Sequence, residues 1–191
     1  MNYKDTYLEL LGKINRPGIE QAREFLVSSD FFTAPCSTKF HLSVPGGLVN
    51  HSVNVYKLLV LKDKQYKLGV DPETLLISSL FHDICKANFY GTDFRNVKND
   101  QGQWEKKQIY IVKDQFPMGH GEKSVIILQQ YMKLTEEEQM AIRWHMGPFT
   151  NGFDSYELSN AFNAAVKKYK LVPALFAADY EASQIFESEG E

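Results

Sequence analysis

Six residues in this chain carry side chains from which a cation site can be assembled: His51, the adjacent pair His82–Asp83, His120, His145 and Asp179. Neutral imidazoles offer nitrogen and carboxylates offer oxygen, a mixture suited to borderline or hard divalent cations. The pair is the most demanding of them. His82–Asp83 interrupts the apolar segment LISSLFHDICKA, residues 76–87, and an ionised carboxylate held away from water is costly unless something neutralises it. A bound cation would do so. Taken singly, each histidine is equally readable as a hydrogen-bonded core residue, and Asp179 as an acceptor for a backbone or tyrosine donor. Taken together, four of the five histidines and two aspartates lie on apolar faces. If they converge, they form a His/Asp metal site.

The elements that must position them read mainly as helices. Residues 5–14 and 17–29 show short amphipathic patterns, the second with Pro17 in its first turn. The stretch FFTAPCSTKFHLSVPGG breaks any helix with its prolines and paired glycines. From Leu48 to about Lys67 the apolar period is helical, and His51 shares a stripe with Val55, Leu58 and Leu59. Asp71–Pro72 caps and opens the helix expected to carry His82–Asp83. On one helix these neighbours would point about 100° apart. His82 would approach one ion from the side, while Asp83 would face the cavity and could bridge two.

Between residues 92 and 114 the pattern changes. Asn99, Asp100 and Gly102 separate two runs, and IYIV is strand-like, so a β-hairpin projects between helices. Its Arg95, Lys98, Lys106 and Lys107 are interleaved with Phe94, Trp104 and Tyr110. This is either a solvated hairpin packed on the helices or a grip for a nucleotide or single strand. Helices resume from Gly119 to Tyr131, with His120 at the start. Thr135 and Glu138 form a capping box for a helix through His145. Ser155 caps a helix to about Tyr169, and Leu171–Phe186 makes the last, with Asp179 on a stripe with Leu175, Ala178 and Ala182.

At 191 residues, with 43% hydrophobic and 24% charged residues, the chain is read as one domain, 1–191. Its core spans about 45–187, with 1–44 packed on it as N-terminal helices and loop. A net charge of −3 excludes the global basic field of a non-specific DNA binder. Cys36 and Cys85 lie far apart and outside any CxxC motif, which fits a reduced, cytoplasmic setting. The N-terminus is too polar for a signal peptide, and no apolar run is long enough for a membrane span.

The order His51 … His82–Asp83 … Asp179 resembles the H…HD…D signature of the HD superfamily of metal-dependent phosphohydrolases. His120 and His145 match the two extra histidines of its binuclear members. STKFHLSVPGGLVNHSVNVY is also similar to the approach to the first ligand in HD-domain 3′–5′ exoribonucleases of Firmicutes, whose OB domain has no counterpart here. The resemblance implies an all-α HD-domain bundle, here with a small β-hairpin insertion. It also implies one or two divalent ions (Fe, Mn, Ni, Co, Zn or Mg). His51, His82, Asp83 and Asp179 would hold the first ion, and His120 and His145 the second, with Asp83 as the bridge. Such a centre activates water and polarises a phosphoryl oxygen.

The expected activity is hydrolysis of a phosphoester in a nucleotide-like small molecule or short oligonucleotide, with short single-stranded nucleic acid as a further partner. Alternatives are a di-iron HD-type oxygenase, which shares the ligand set, an exonuclease-like activity, and a module whose metal is structural. Lys86 matches the lysine of the HDxxK variant. It is expected to act with Asp83 in catalysis and to contact a substrate phosphate, or else to be an exposed helix-end lysine. Lys123 and Arg143 are further candidates for substrate binding. His41 carries no role over from the family.

Overall fold

The structure, a computed structural model, describes residues 2–150 and 154–187. Among these residues it is predominantly helical, with a two-stranded antiparallel hairpin. The order is α1 (Tyr3–Leu11), α2 (Ile19–Ser28), α3 (Gly47–Tyr66), α4 (Pro72–Phe81), β1 (Tyr90–Lys98), β2 (Trp104–Val112), α5 (His120–Gln129), α6 (Glu136–Arg143), α7 (Tyr156–Lys168) and α8 (Leu171–Glu181). Short 3-10 turns occupy Ile84–Lys86 and Gly147–Phe149, and a π turn, Ala182–Phe186, continues α8. Among the described residues, no helix is long and apolar enough to cross a membrane.

Helix α3 is the spine. Its N-terminal half places Leu48, Val49 and Val53 in one apolar cluster with residues of α1, α2, α4 and α5. Its C-terminal half places Val55, Leu58 and Leu59 in a second cluster with α6, α7 and α8. His51 sits at the seam between them. Two glycines allow the close approaches that the site requires. A Cβ on Gly47 would overlap the Leu42 carbonyl, so only glycine lets the 36–44 loop close over the start of α3. A Cβ on Gly121 would overlap the Arg143 carbonyl, so glycine lets α5 lie against the end of α6.

Helices α4 and α6 are tied together at their beginnings. Asp71 caps α4 and Thr135 caps α6 through a capping box with Glu138. Glu138, fully buried, also accepts from Thr74 Oγ1 at 3.0 Å and pairs with Arg16, which in turn holds Glu73. With their starts pinned, both helices deliver their C-terminal ends to the same region of the interior. Tyr7 of α1 supports that end of α4 by donating to the Leu80 carbonyl at 2.8 Å.

Several boundaries differ from the sequence expectation. Helix α1 stops at Leu11, not 14. Pro17 precedes α2, whose N-cap is Gly18 at φ 95°, a conformation that sets the entry angle without proline in the first turn. The more consequential shift concerns the pair. Helix α4 ends at Phe81, His82 is its C-cap, and Asp83 lies outside it at φ −108°, ψ 19°. His145 likewise lies beyond α6, whose C-cap is Trp144. The hairpin is where it was expected, and its register pairs Tyr90 with Val112 and Lys98 with Trp104.

Candidate metal centre

The ends of α4 and α6 repeat one local solution. His82 Nδ1 donates to the Ser79 carbonyl at 2.7 Å, and His145 Nδ1 donates to the Ile142 carbonyl at 2.6 Å. Each ring thus takes a last-turn carbonyl of the helix that precedes it, in the turn where carbonyls run out of regular intrahelical partners. Fixing the proton on Nδ1 leaves Nε2 as a lone pair aimed inward. Both rings are fully buried. Among the described residues His145 Nε2 has no hydrogen-bond partner, an expensive state for a buried nitrogen unless it is a ligand atom.

The other two histidines are oriented in the same way. His51 Nδ1 lies 2.9 Å from Glu187 Oε2, and Asn54 Nδ2 donates to the other Glu187 oxygen at 3.0 Å. His51 Nε2 faces Asp179 Oδ1 at 3.0 Å and His82 Nε2 at 3.2 Å. His120 Nδ1 is 3.4 Å from Cys85 Sγ, while its Nε2 is 2.6 Å from Asp83 Oδ1. All four Nε2 atoms therefore turn toward a common interior, and each Nδ1 is held from behind by another group.

Asp83, almost fully buried, occupies the middle. Its Oδ2 faces His82 at 3.5 Å and His51 at 3.8 Å, whereas its Oδ1 faces His120 and, at 3.5 Å, His145. One oxygen addresses each pair of rings. Among the described residues four groups could hold a cation, with their ligand atoms mutually within 4.8 Å: Cys36, His41 and His51; His51, His82 and Asp179; His82, Asp83 and His145; and Asp83, Cys85 and His120. They suit one or two divalent ions.

Protonation follows the same division. Burial works against the charged form of His51, but the sulfur of Cys36 and the carboxylates of Asp179 and Glu187 outweigh it and hold its pKa well above the ordinary value. Burial is likewise outweighed at His120, where Cys85 and Asp83 raise the pKa to about 10. For His82 burial wins, lowering the pKa to about 4. Burial would raise Asp83, yet Lys86, His82 and His120 keep its carboxyl well below the usual range. Without metal, protons on His51 and His120 face Asp179 and Asp83, in the positions cations would take.

Lys86 lies in the 3-10 turn, not on α4, and its Nζ is 2.7 Å from Asp83 Oδ2. It lines a cavity of about 1340 Å3 together with Asp83, His120 and Asp179. The two other cationic candidates have different partners and do not line that cavity. Lys123 is buried against both oxygens of Asp114 at 2.6 Å and over the Phe89 ring. Arg143 pairs with Glu122 and stacks on Trp144. His41 lies 3.2 Å from Cys36 Sγ at the cavity wall.

Sequence reasoning missed Glu187 and Cys85, the groups behind His51 and His120. Glu187 follows Asp179 by about two turns of the same helical segment, a spacing that could have flagged it. Nothing in the sequence marks Cys85 except its nearness to the pair.

A family model for the HD domain matches residues 48–180. Comparison with curated proteins and with solved structures finds no match. The matched segment covers well over half the chain and contains all six metal-site candidates, so the chain belongs to the HD family of metal-dependent phosphohydrolases.

Proposed function

We propose that this HD-domain protein hydrolyses a phosphoester of a nucleotide-like small molecule or short oligonucleotide at a two-cation centre. In this reading His51, His82, Asp83 and Asp179 would hold one cation, and His120, His145 and Asp83 the other. The observation that carries it is the split allegiance of Asp83, one oxygen toward each histidine pair, together with the orphaned Nε2 of His145. Divalent ions there would supply Lewis acidity, polarising a phosphoryl oxygen and lowering the pKa of bound water.

The chain's own groups then have defined tasks. Glu187, the Ser79 and Ile142 carbonyls and Cys85 keep the four rings in one tautomer and orientation. The C-terminal ends of α4 and α6 add partial negative charge favourable to cations. Lys86, beside Asp83 and on the cavity wall, would be the ammonium placed to contact a phosphate oxygen. On that cavity wall Asp83 is almost fully buried and Asp179 partly so.

The test is reconstitution of metal-free protein with Mn, Fe, Co, Ni, Zn or Mg. Release of p-nitrophenol from bis(p-nitrophenyl) phosphate and of phosphate from nucleotides is then followed alongside oxygen uptake. Metal-dependent phosphoester cleavage without oxygen uptake is expected. Oxygen-dependent turnover with no phosphoester cleaved would replace this reading with the oxygenase.

A further inference from the structure

The hairpin places two cations where neither the fold nor the metal centre uses them. Arg95 and Lys107 are register partners across β1 and β2, so their side chains stand on the same face in adjacent positions. Like charges directly opposite on a strand pair are unfavourable. Among the described residues neither side chain has a hydrogen bond or an ion pair, although both residues line the large cavity. The carboxylates lining that cavity are Asp83, Glu122, Asp179 and Glu187. None of the four lies on the hairpin.

The position of the pair also sets what it can touch. Tyr90, at the base of β1, donates its hydroxyl to the Cys36 carbonyl at 2.9 Å, at the cavity wall. Arg95 lies five residues further along the strand, about 17 Å away at strand rise. The pair therefore stands further out along the hairpin than the Tyr90 end of the wall, where Cys36 and Lys86 also line the cavity. Another cavity wall carries Phe149 stacked on Tyr180, with centroids 5.8 Å apart and planes 5° apart. Both are substantially exposed, at 62% and 46%. Basic groups along a groove with exposed aromatic faces are the physical requirements for binding a single strand, phosphates on the cations and bases on the rings.

We propose that Arg95 and Lys107 form a binding site for a second phosphate, remote from the one cleaved, and that the substrate class is a single-stranded oligonucleotide lying along this cavity. This rests on the phosphoester reading above and narrows it: a short strand carries a further phosphate to meet the pair out along the hairpin, whereas a mononucleoside monophosphate has only the one at the centre. The pair acts in substrate selection and not in the chemical step.

The experiment compares the metal-loaded protein with its Arg95→Gln/Lys107→Gln variant. Binding of fluorescein-labelled hexathymidylate is measured by anisotropy over a range of salt. Turnover is measured on hexathymidylate and on bis(p-nitrophenyl) phosphate, which has no second phosphate. The variant is expected to bind the hexamer about tenfold or more weakly. The slope of log affinity against log salt should become shallower by about 1.4, two phosphate contacts on a single strand. Turnover of the small diester should be retained, and the melting temperature should hold or rise as the opposed charges are removed. Equal hexamer binding by both proteins, or equal loss on both substrates, overturns the second-phosphate site. If the small diester is cleaved but the hexamer neither binds nor reacts, the site is overturned and the phosphoester reading survives. If the hexamer binds through the pair and no phosphoester is cleaved with any metal, the hydrolase reading fails and the site stands.

Discussion

Replacement of Asp83 by asparagine separates a bridging carboxylate from a merely structural one. The substitution preserves shape and one oxygen but removes the charge and converts the other oxygen to a donor. In the metal-free protein Asp83 is almost fully buried and contacts Lys86 at 2.7 Å and His120 at 2.6 Å. Removing one member of a buried ion pair costs about 3–5 kcal/mol. Against a typical domain stability of about 5–15 kcal/mol, that is a large share. For a chain of this size it lowers the melting temperature by roughly 10 °C, at about 2–4 °C per kcal/mol. In the metal-loaded protein the loss is of a different kind. An amide nitrogen cannot ligate a cation, so one of the two histidine pairs loses its shared oxygen. Metal content by mass spectrometry after gel filtration should fall from two ions to one or none, and phosphoester turnover should collapse with it. Asp83→Ala should do the same. A variant that melts earlier yet keeps two ions and full turnover would refute the bridge and leave Asp83 a structural residue.

Three other perturbations address separate groups. Glu187→Gln keeps the contact to His51 but removes its charge, so affinity at the His51 end should fall about 10–100-fold, read by competition with a chelator; unchanged affinity would make Glu187 a packing residue. Lys86→Ala should lower kcat/KM for a phosphorylated substrate about tenfold or more at equal metal loading, the worth of a charge-assisted contact of roughly 1.5–3 kcal/mol; unchanged kinetics would leave Lys86 only a counter-ion for Asp83. Each of two cations should displace about one proton near neutral pH, from His51 and from His120, whose pKa is raised to about 10. Calorimetry in buffers of different ionisation enthalpy reads that release, and its absence would overturn the proton-for-cation exchange. The same raised pKa values stabilise the metal-free fold below the ordinary histidine value. That contribution is lost as pH rises through about 10 for His120, so metal-free protein should soften over an alkaline range in which loaded protein holds.

The periodicity of the chain made much of this legible. The stripes of α3 and α8 placed His51 and Asp179, the capping box placed α6, and turn residues flanking IYIV placed the hairpin. The ends of helices were not legible, for a physical reason. Apolar spacing continues smoothly through LFHDICK, so nothing in the pattern stops α4 at Phe81. What competes with helix continuation is the ring of His82, which takes the Ser79 carbonyl. The same competition acts just beyond α6, where the ring of His145 takes the Ile142 carbonyl, and its energetic return lies in the site, visible only once the helices are packed. The partners of Lys123 and Arg143 were hidden likewise, because Asp114 comes from a loop and Glu122 from the neighbouring helix. A lysine one turn from a site histidine reads as a substrate contact until its carboxylate is located.

Charge balance links the centre to the substrate class. In the proposed two-cation state the divalent ions would bring four positive charges and Lys86 a fifth. The carboxylates in contact with the four histidines are Asp83, Asp179 and Glu187. With neutral rings the loaded centre is therefore short of negative charge by about two units. In a recess walled by protein such an excess is poorly screened, so the cavity favours anions over neutral ligands. A hydroxide and a phosphodiester together close the deficit, whereas a neutral substrate would leave it open. Metal-free, Lys86 offsets Asp83; with cations on that carboxylate it would be left to pair with an anion from outside. Arg95 and Lys107 extend the same field outward along the hairpin. The whole chain carries a net charge of −3, so this positive track is a local property of one cavity and would select a short anionic strand without conferring general affinity for nucleic acid.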